Sequence, residues 1–160
     1  MRQAFTDNAS DTNVVCGPGA TLTNVYRSGG KFDFCTALTI LEQREQAGDA
    51  VFRGGGVTLG TVTLYSGSLI LRPTADNTEL TNIVLGPGTV LDLSKCMFSV
   101  RCPNPVVMYK DAQLIDPFDR LATATPTDGS PDPLINITPA GCATADLKLT
   151  RKSGKTGTRI

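Results

Sequence analysis

The chain has 160 residues, enough for one domain with a real core; 40% of them are hydrophobic, only 19% are charged, and positive and negative charges cancel. Few aromatics (three Tyr, six Phe, no Trp) with frequent glycine (16) and proline (10) favour short strands and many turns over helices, and the cancelled charge excludes a chain that binds nucleic acid over its whole surface. The absence of histidine removes the commonest general base, the Ser-His and Cys-His nucleophile pairs and most catalytic metal sites.

Residues 1–13 are polar and aperiodic, with Phe5 as the one anchor, and read as an extended N-terminal arm. They contain no apolar run of signal-peptide type, and no window approaches the ~20 apolar residues of a membrane span. The expectation is a soluble protein made in the cytosol. A β-rich body follows over 14–122. It opens with Val14-Val15-Cys16 and the turn Gly17-Pro18-Gly19, which is echoed at Gly86-Pro87-Gly88; Leu22-Thr23-Asn24-Val25 is echoed at Leu80-Thr81-Asn82-Ile83. The two echoes need different shifts and indicate similar strand-turn units without a strict repeat.

Over about 36–47 (TALTILEQREQA) the composition and the spacing of Leu38, Leu41 and Arg44-Glu45 predict one short helix, capped by Thr36 and closed by Gly48. It reads as an insertion between Leu22 and Leu59 that packs on the outside of the β body or covers one open end. Gly54-Gly55-Gly56 then leads into the clearest strands. At a shift of 21 residues Leu59 falls on Leu80, Val62 on Ile83, Leu64 on Leu85, Gly67 on Gly88 and Leu69 on Val90. A period of this length points to stacked β-units. Val106–Tyr109 and Gln113–Ile115 read as two more strands after the break Cys102-Pro103-Asn104-Pro105.

Residues 123–133 (TATPTDGSPDP) have the composition of a linker. Beyond it, 134–160 form a C-terminal segment with strands at Leu134–Thr138 and Leu147–Thr150, expected to complete the sheet of a neighbouring subunit. Its end is basic, with Lys148, Arg151, Lys152, Lys155 and Arg159 and no acid, and reads as a solvated tail.

No catalytic, cofactor-binding or metal-ligating residue emerges. Asp116 and Asp119, flanking Pro117-Phe118, could serve as a carboxylate pair but read as turn residues; Asp92 reads as an outward strand residue. Gly54-Gly55-Gly56 lacks the Lys-Ser/Thr and the helix of a phosphate loop, and the Gly-x-Gly turns lack the rest of a dinucleotide motif. The five cysteines (16, 35, 96, 102, 142) are odd in number and read as reduced and buried; Cys96 and Cys102 are spaced too widely for a zinc knuckle. The sequons at Asn8 and Asn136 read as coincidental.

Leu59, Val62, Leu64, Gly67, Leu69, Leu80, Ile83, Leu85, Gly88 and Val90 resemble the rungs of parallel β-helices found in phage tailspikes and polysaccharide-processing proteins. In overall character (small size, arm, linker, weakly charged strands) the chain also resembles phage capsid decoration, or cement, proteins. The resemblance implies a mainly β fold with a short β-solenoid body. An antiparallel β-sandwich or jelly roll stays open, because both use the same period-two pattern. It further implies a non-enzymatic, homo-oligomeric structural protein of a virus particle, a trimer by preference, made in the host cytoplasm. Its partners would be itself and a major capsid or other virion protein, with no membrane, nucleic acid or cofactor. The alternative functions are a carbohydrate-binding or carbohydrate-cleaving β-helix module, whose aromatic platforms could only be Tyr26, Tyr65 and Tyr109, and a self-polymerising cytoskeletal solenoid.

Overall fold

The architecture was obtained from a computed structural model, which describes residues 3–6, 13–104, 106–122, 137–139 and 148–151. Every regular element among them is a strand, and every strand pairing is parallel. In chain order the strands are β1 (Gln3–Thr6), β2 (Asn13–Cys16), β3 (Asn24–Arg27), β4 (Lys31–Phe34), β5 (Leu38–Gln43), β6 (Ala50–Phe52), β7 (Thr58–Leu64), β8 (Ser68–Leu71), β9 (Thr78–Leu85) and β10 (Val90–Asp92). They continue with β11 (Val100–Arg101), β12 (Val106–Met108), β13 (Gln113–Asp116), β14 (Leu121–Ala122), β15 (Ile137–Pro139) and β16 (Lys148–Arg151).

Through β10, odd and even strands separate. A nine-stranded sheet runs β1-β3-β5-β7-β9-β11-β14, with β12 attached to β9 and β15 to β12, and a seven-stranded sheet runs β16-β13-β10-β8-β6-β4-β2. Through β10 the chain therefore alternates between two sheets as it climbs, which is a β-solenoid and not a sandwich of antiparallel strands. The interior is built from inward columns that rise through successive coils. One column is Phe32, Ala50, Leu69, Leu91 and Leu114; another is Val25, Leu41, Val62, Ile83 and Val106. Every member of both is buried, so the columns form one continuous apolar core.

The 21-residue repeat is structural where it was clearest: Leu59 pairs with Leu80, Val62 with Ile83 and Leu64 with Leu85, the same offset that separates the bonded Thr61 and Asn82. It fails one turn later. Leu69 pairs with Leu91 instead of Val90, because the connection Gly86–Thr89 holds one residue more than Tyr65–Gly67. The echo of Leu22–Val25 in Leu80–Ile83 is also real, since Asn24 connects to Asn82 through Ile40 and Thr61 in one column. The two Gly-Pro-Gly turns are not equivalent: one follows β2 in the smaller sheet and the other follows β9 in the larger.

The helix expected over 36–47 is absent; Leu38–Gln43 is strand β5, and the 16 residues taken as an insertion are a complete coil, the offset between the paired Arg27 and Gln43. Leu38 and Leu41 are both inward because two successive residues, Thr39 and Ile40, turn away from the core between them. The same step recurs at Leu59–Val62 and Leu80–Ile83, so the long strands β5, β7 and β9 all bend at one level. In the next coil the bend breaks the strand: Val100 continues from Thr78 and Val106 from Ile83, with the proline-bearing segment 102–105 between. A helix here would have left the facing edges of β3 and β7 without ladder partners, a larger loss than the helix propensity of six residues offers. Gly48, expected to close the helix, instead donates its N–H to the Gly30 carbonyl at 3.0 Å.

Both ends of the chain add to the same solenoid. β1, within the arm, pairs with β3. β15 pairs with β12 and β16 with β13, so the strands expected to join a neighbouring subunit extend their own sheets. The proline-rich stretch 123–133 and the tail beyond 151 lie outside the described residues.

Candidate functional site

The residues singled out for possible chemistry are occupied structurally. Asp116 is fully buried at the end of β13, where its carboxylate accepts from the backbone N–H groups of Arg120 at 2.7 Å and Leu121 at 3.0 Å. It holds the turn that carries Pro117 and Phe118 into β14. Asp119 sits in that turn with φ of +52°, a conformation aspartate tolerates better than most residues. Asp92 is half-buried on β10, and its carboxylate accepts from the N–H of Ser94 at 2.7 Å. The triple glycine is a packing device: a Cβ on Gly54 would lie 2.4 Å from the Cys35 carbonyl oxygen, and one on Gly55 would lie 2.6 Å from the Ala75 nitrogen.

Of the four described cysteines two are interior residues, and Cys142 lies outside the described residues. Cys96 and Cys102 are buried, and their thiols donate to the carbonyls of Phe98 and Asn104 at 3.0 and 3.2 Å. Burial pushes the Cys96 thiol up to about 11 and the Cys102 thiol up to about 12, so both stay protonated at neutral pH. Cys16 and Cys35 are half-buried, with the Cys35 Sγ 3.4 Å from the Cys16 carbonyl; Cys16 is raised by desolvation and by its proximity to Cys35. Among the described residues no group of three or more His, Cys, Asp or Glu side chains converges as a metal site would require.

Two polar features lie elsewhere. The first is internal. Arg27, at the end of β3, has no solvent exposure and faces inward in the column that continues through Gln43, Leu64, Leu85 and Met108. Its guanidinium donates to the side-chain oxygen of Gln43 and to the carbonyls of Gly29, Gly30 and Gly48, and it lies 6.0 Å from the centre of the Phe32 ring. Desolvation lowers Arg27 to about 10 while the nearby Asp49 acts to raise it, so it remains charged at neutral pH. Gln43 in turn donates to the Ser66 and Ser68 carbonyls at 3.1 and 3.3 Å. This network ties three successive turns together from inside. Its role is to satisfy turn carbonyls that face the core.

The second feature is on the surface, where the strands of the larger sheet end. Backbone hydrogen bonds from Arg44 to Arg27, Tyr65 to Gln43, Gly86 to Leu64 and Tyr109 to Leu85 set Ser28, Arg44, Tyr65, Gly86 and Tyr109 in one row along the solenoid. Arg44 pairs with Glu42 at 2.7 Å and lies over the Tyr26 ring at 5.2 Å. Beside it, Glu45, Gln46 and Tyr65 help line an open depression of about 590 Å³. Tyr65 is 58% exposed and Tyr109 39% exposed.

Arg27 was not singled out from the sequence, although a signal existed: alternation from the inward Val25 puts residue 27 on the same face. The row had no such signal, because its members come from separate coils of unequal length. Comparison of the chain with protein-family models, with curated proteins and with solved structures finds no match in any of the three.

Proposed function

We propose that this chain is a non-enzymatic structural protein that works as a rigid, homo-oligomeric β-solenoid. The observation that supports this reading is the condition of its sheet ends. Among the described residues β1 and β2 at one end, and β14, β15 and β16 at the other, pair along one side only. Such edges carry rows of unpaired N–H and C=O groups and are covered in stable assemblies by further strands, caps or partner copies. The interior supports it too, since the core is filled by packed columns, and the buried Asp116, Cys96 and Cys102 are each hydrogen-bonded within turns. The specific setting in a virus particle, as a capsid decoration or tail-fibre component and a trimer by preference, rests on the sequence resemblance alone.

Multi-angle light scattering of the purified chain across a hundredfold concentration range tests the assembly reading. A discrete oligomer whose melting temperature rises with concentration supports it. A monomer at every concentration overturns it.

A further inference from the structure

We propose that the outer face of the seven-stranded sheet docks a second copy of this chain, packed face to face about a two-fold axis parallel to the solenoid axis. This rests on the homo-oligomeric reading above and names the contact surface that reading leaves open. The two sheets differ on their outer faces. In the larger sheet, β7 and β9 point threonine, glutamate and asparagine outward, with Val84 as the one apolar side chain. In the smaller sheet one outward column runs Val15, Asp33, Val51, Ile70, Asp92 and Ile115. Val15 is 68% exposed, and Val51, Ile70 and Ile115 are each partly open to solvent. Outward positions on a sheet that faces water are ordinarily polar, so an apolar column there marks a contact surface.

Charge identifies the occupant as a copy of the same chain. The outward triplet at β6 is Asp49, Val51 and Arg53, and the triplet stacked on it at β8 is Ser68, Ile70 and Arg72. Asp49 and Ser68, hydrogen-bonded to each other, line one flank of the apolar pair, and two guanidinium groups line the other. A two-fold axis over the column keeps the coil level and reverses the strand direction. Val51 then meets Val51, Ile70 meets Ile70, and Asp49 faces the partner's Arg53 on both sides. A partner carrying charge of one sign would satisfy one flank and be repelled by the other.

The acids one coil to either side set the limits of the contact. The axis places Asp33 and Asp92 each opposite its own copy. Asp33 is paired with Arg53 at 2.7 Å, whereas the Asp92 carboxylate accepts from the Ser94 N–H at 2.7 Å, so like charges meet at the β10 level. Facing sheets also cross at about 30°, which holds them closest at Val51 and Ile70 and parts them toward both ends. Four strands about 4.8 Å apart, each offering an outward triplet about 13 Å long, make a small interface, so the copies associate reversibly.

Sedimentation velocity of the intact chain from about 1 μM to about 1 mM tests the face. Ile70→Lys should abolish the dimer over that range, while Thr63→Lys, on the outer face of the larger sheet, leaves it unchanged. Asp49→Arg and Arg53→Asp should each weaken association about tenfold, because each makes the two flanks repel. An equimolar mixture of those two variants should recover the parent's affinity to within about threefold, since opposite charges then face each other on both sides. Recovery requires both variants to be folded, so a folding defect cannot imitate it. Asp92→Asn should tighten the dimer about threefold by removing the like charges at its edge. An oligomer of odd number, an Ile70→Lys variant that associates like the parent, or a mixture no stronger than its components overturns the proposal and leaves the assembly reading standing. A monomer at every concentration overturns both.

Discussion

Arg27 and Gln43 are stacked partners in one inward column, and the guanidinium donates to the amide oxygen with Arg27 and Gln43 both fully removed from solvent. Two coils further along, the same column holds only Leu64, Leu85 and Met108. The polar pair therefore exists because of the turns at its level. The coil between β3 and β5 is the short one, and the carbonyls of Gly29, Gly30 and Gly48 point into the space that apolar side chains fill elsewhere.

This makes the pair strongly coupled. Arg27→Met removes every donor to those carbonyls and should cost about 2–4 kcal/mol; Gln43→Leu strands the guanidinium and should cost about 1–3 kcal/mol. The double variant extends the apolar column of Leu64 by two residues and should lose at least about 1 kcal/mol less than the sum of the singles. Denaturant unfolding of the four proteins measures the cycle. Additive losses would show that the two side chains act independently and that the turns need only one of them.

Thr78 is a second buried polar group, but without the network. It is fully buried, its hydroxyl has no partner, and its column neighbour is Val100, with Val57 on the coil before. Thr78→Val keeps the β-branched shape and removes an unsatisfied hydroxyl, so it should stabilise the protein by about 1 kcal/mol. The control Val100→Thr places a hydroxyl in the same column and should destabilise by a similar amount. A lowered melting temperature for Thr78→Val would mean that the hydroxyl has found an acceptor in solution.

What was legible in the sequence follows from what each pattern can distinguish. Leu59, Val62 and Leu64 over Leu80, Ile83 and Leu85 were readable because two equal coils repeat the same inward choices. Leu38 and Leu41 were misread because a three-residue step between apolar positions arises from a helical turn or from a bent strand alike. Only the pairing of β5 with β3 and β7 decides between them. The solenoid itself was favoured over the sandwich by the 21-residue shift, whereas alternation alone leaves both open. Arg27 was hidden by its charge, which normally argues for the surface. The Tyr65–Tyr109 relationship was hidden by geometry, since it passes through Gly86 and through coils whose lengths differ.

The buried thiols make stability fall at alkaline pH in a defined window. Cys102 has its pKa raised from 9.0 to about 12 and Cys96 from 9.0 to about 11, both chiefly by desolvation. A group whose folded pKa lies above its unfolded value leaves stability intact below the unfolded pKa and removes it as the pH climbs toward the folded one. The unfolded chain ionises these thiols from about pH 9 while the folded chain resists, so each group lowers stability by about 1.4 kcal/mol per pH unit within its window. Other groups titrate here as well, which makes the informative quantity a difference between proteins. Cys102→Ala should start less stable at pH 8 because of the lost packing, yet lose stability less steeply than the parent between pH 9 and 12. Cys96→Ala should show the same flattening over the narrower range up to about pH 11. Parallel curves for parent and variants would place both thiols in contact with solvent, and rapid alkylation of the folded protein at pH 8 would say so independently.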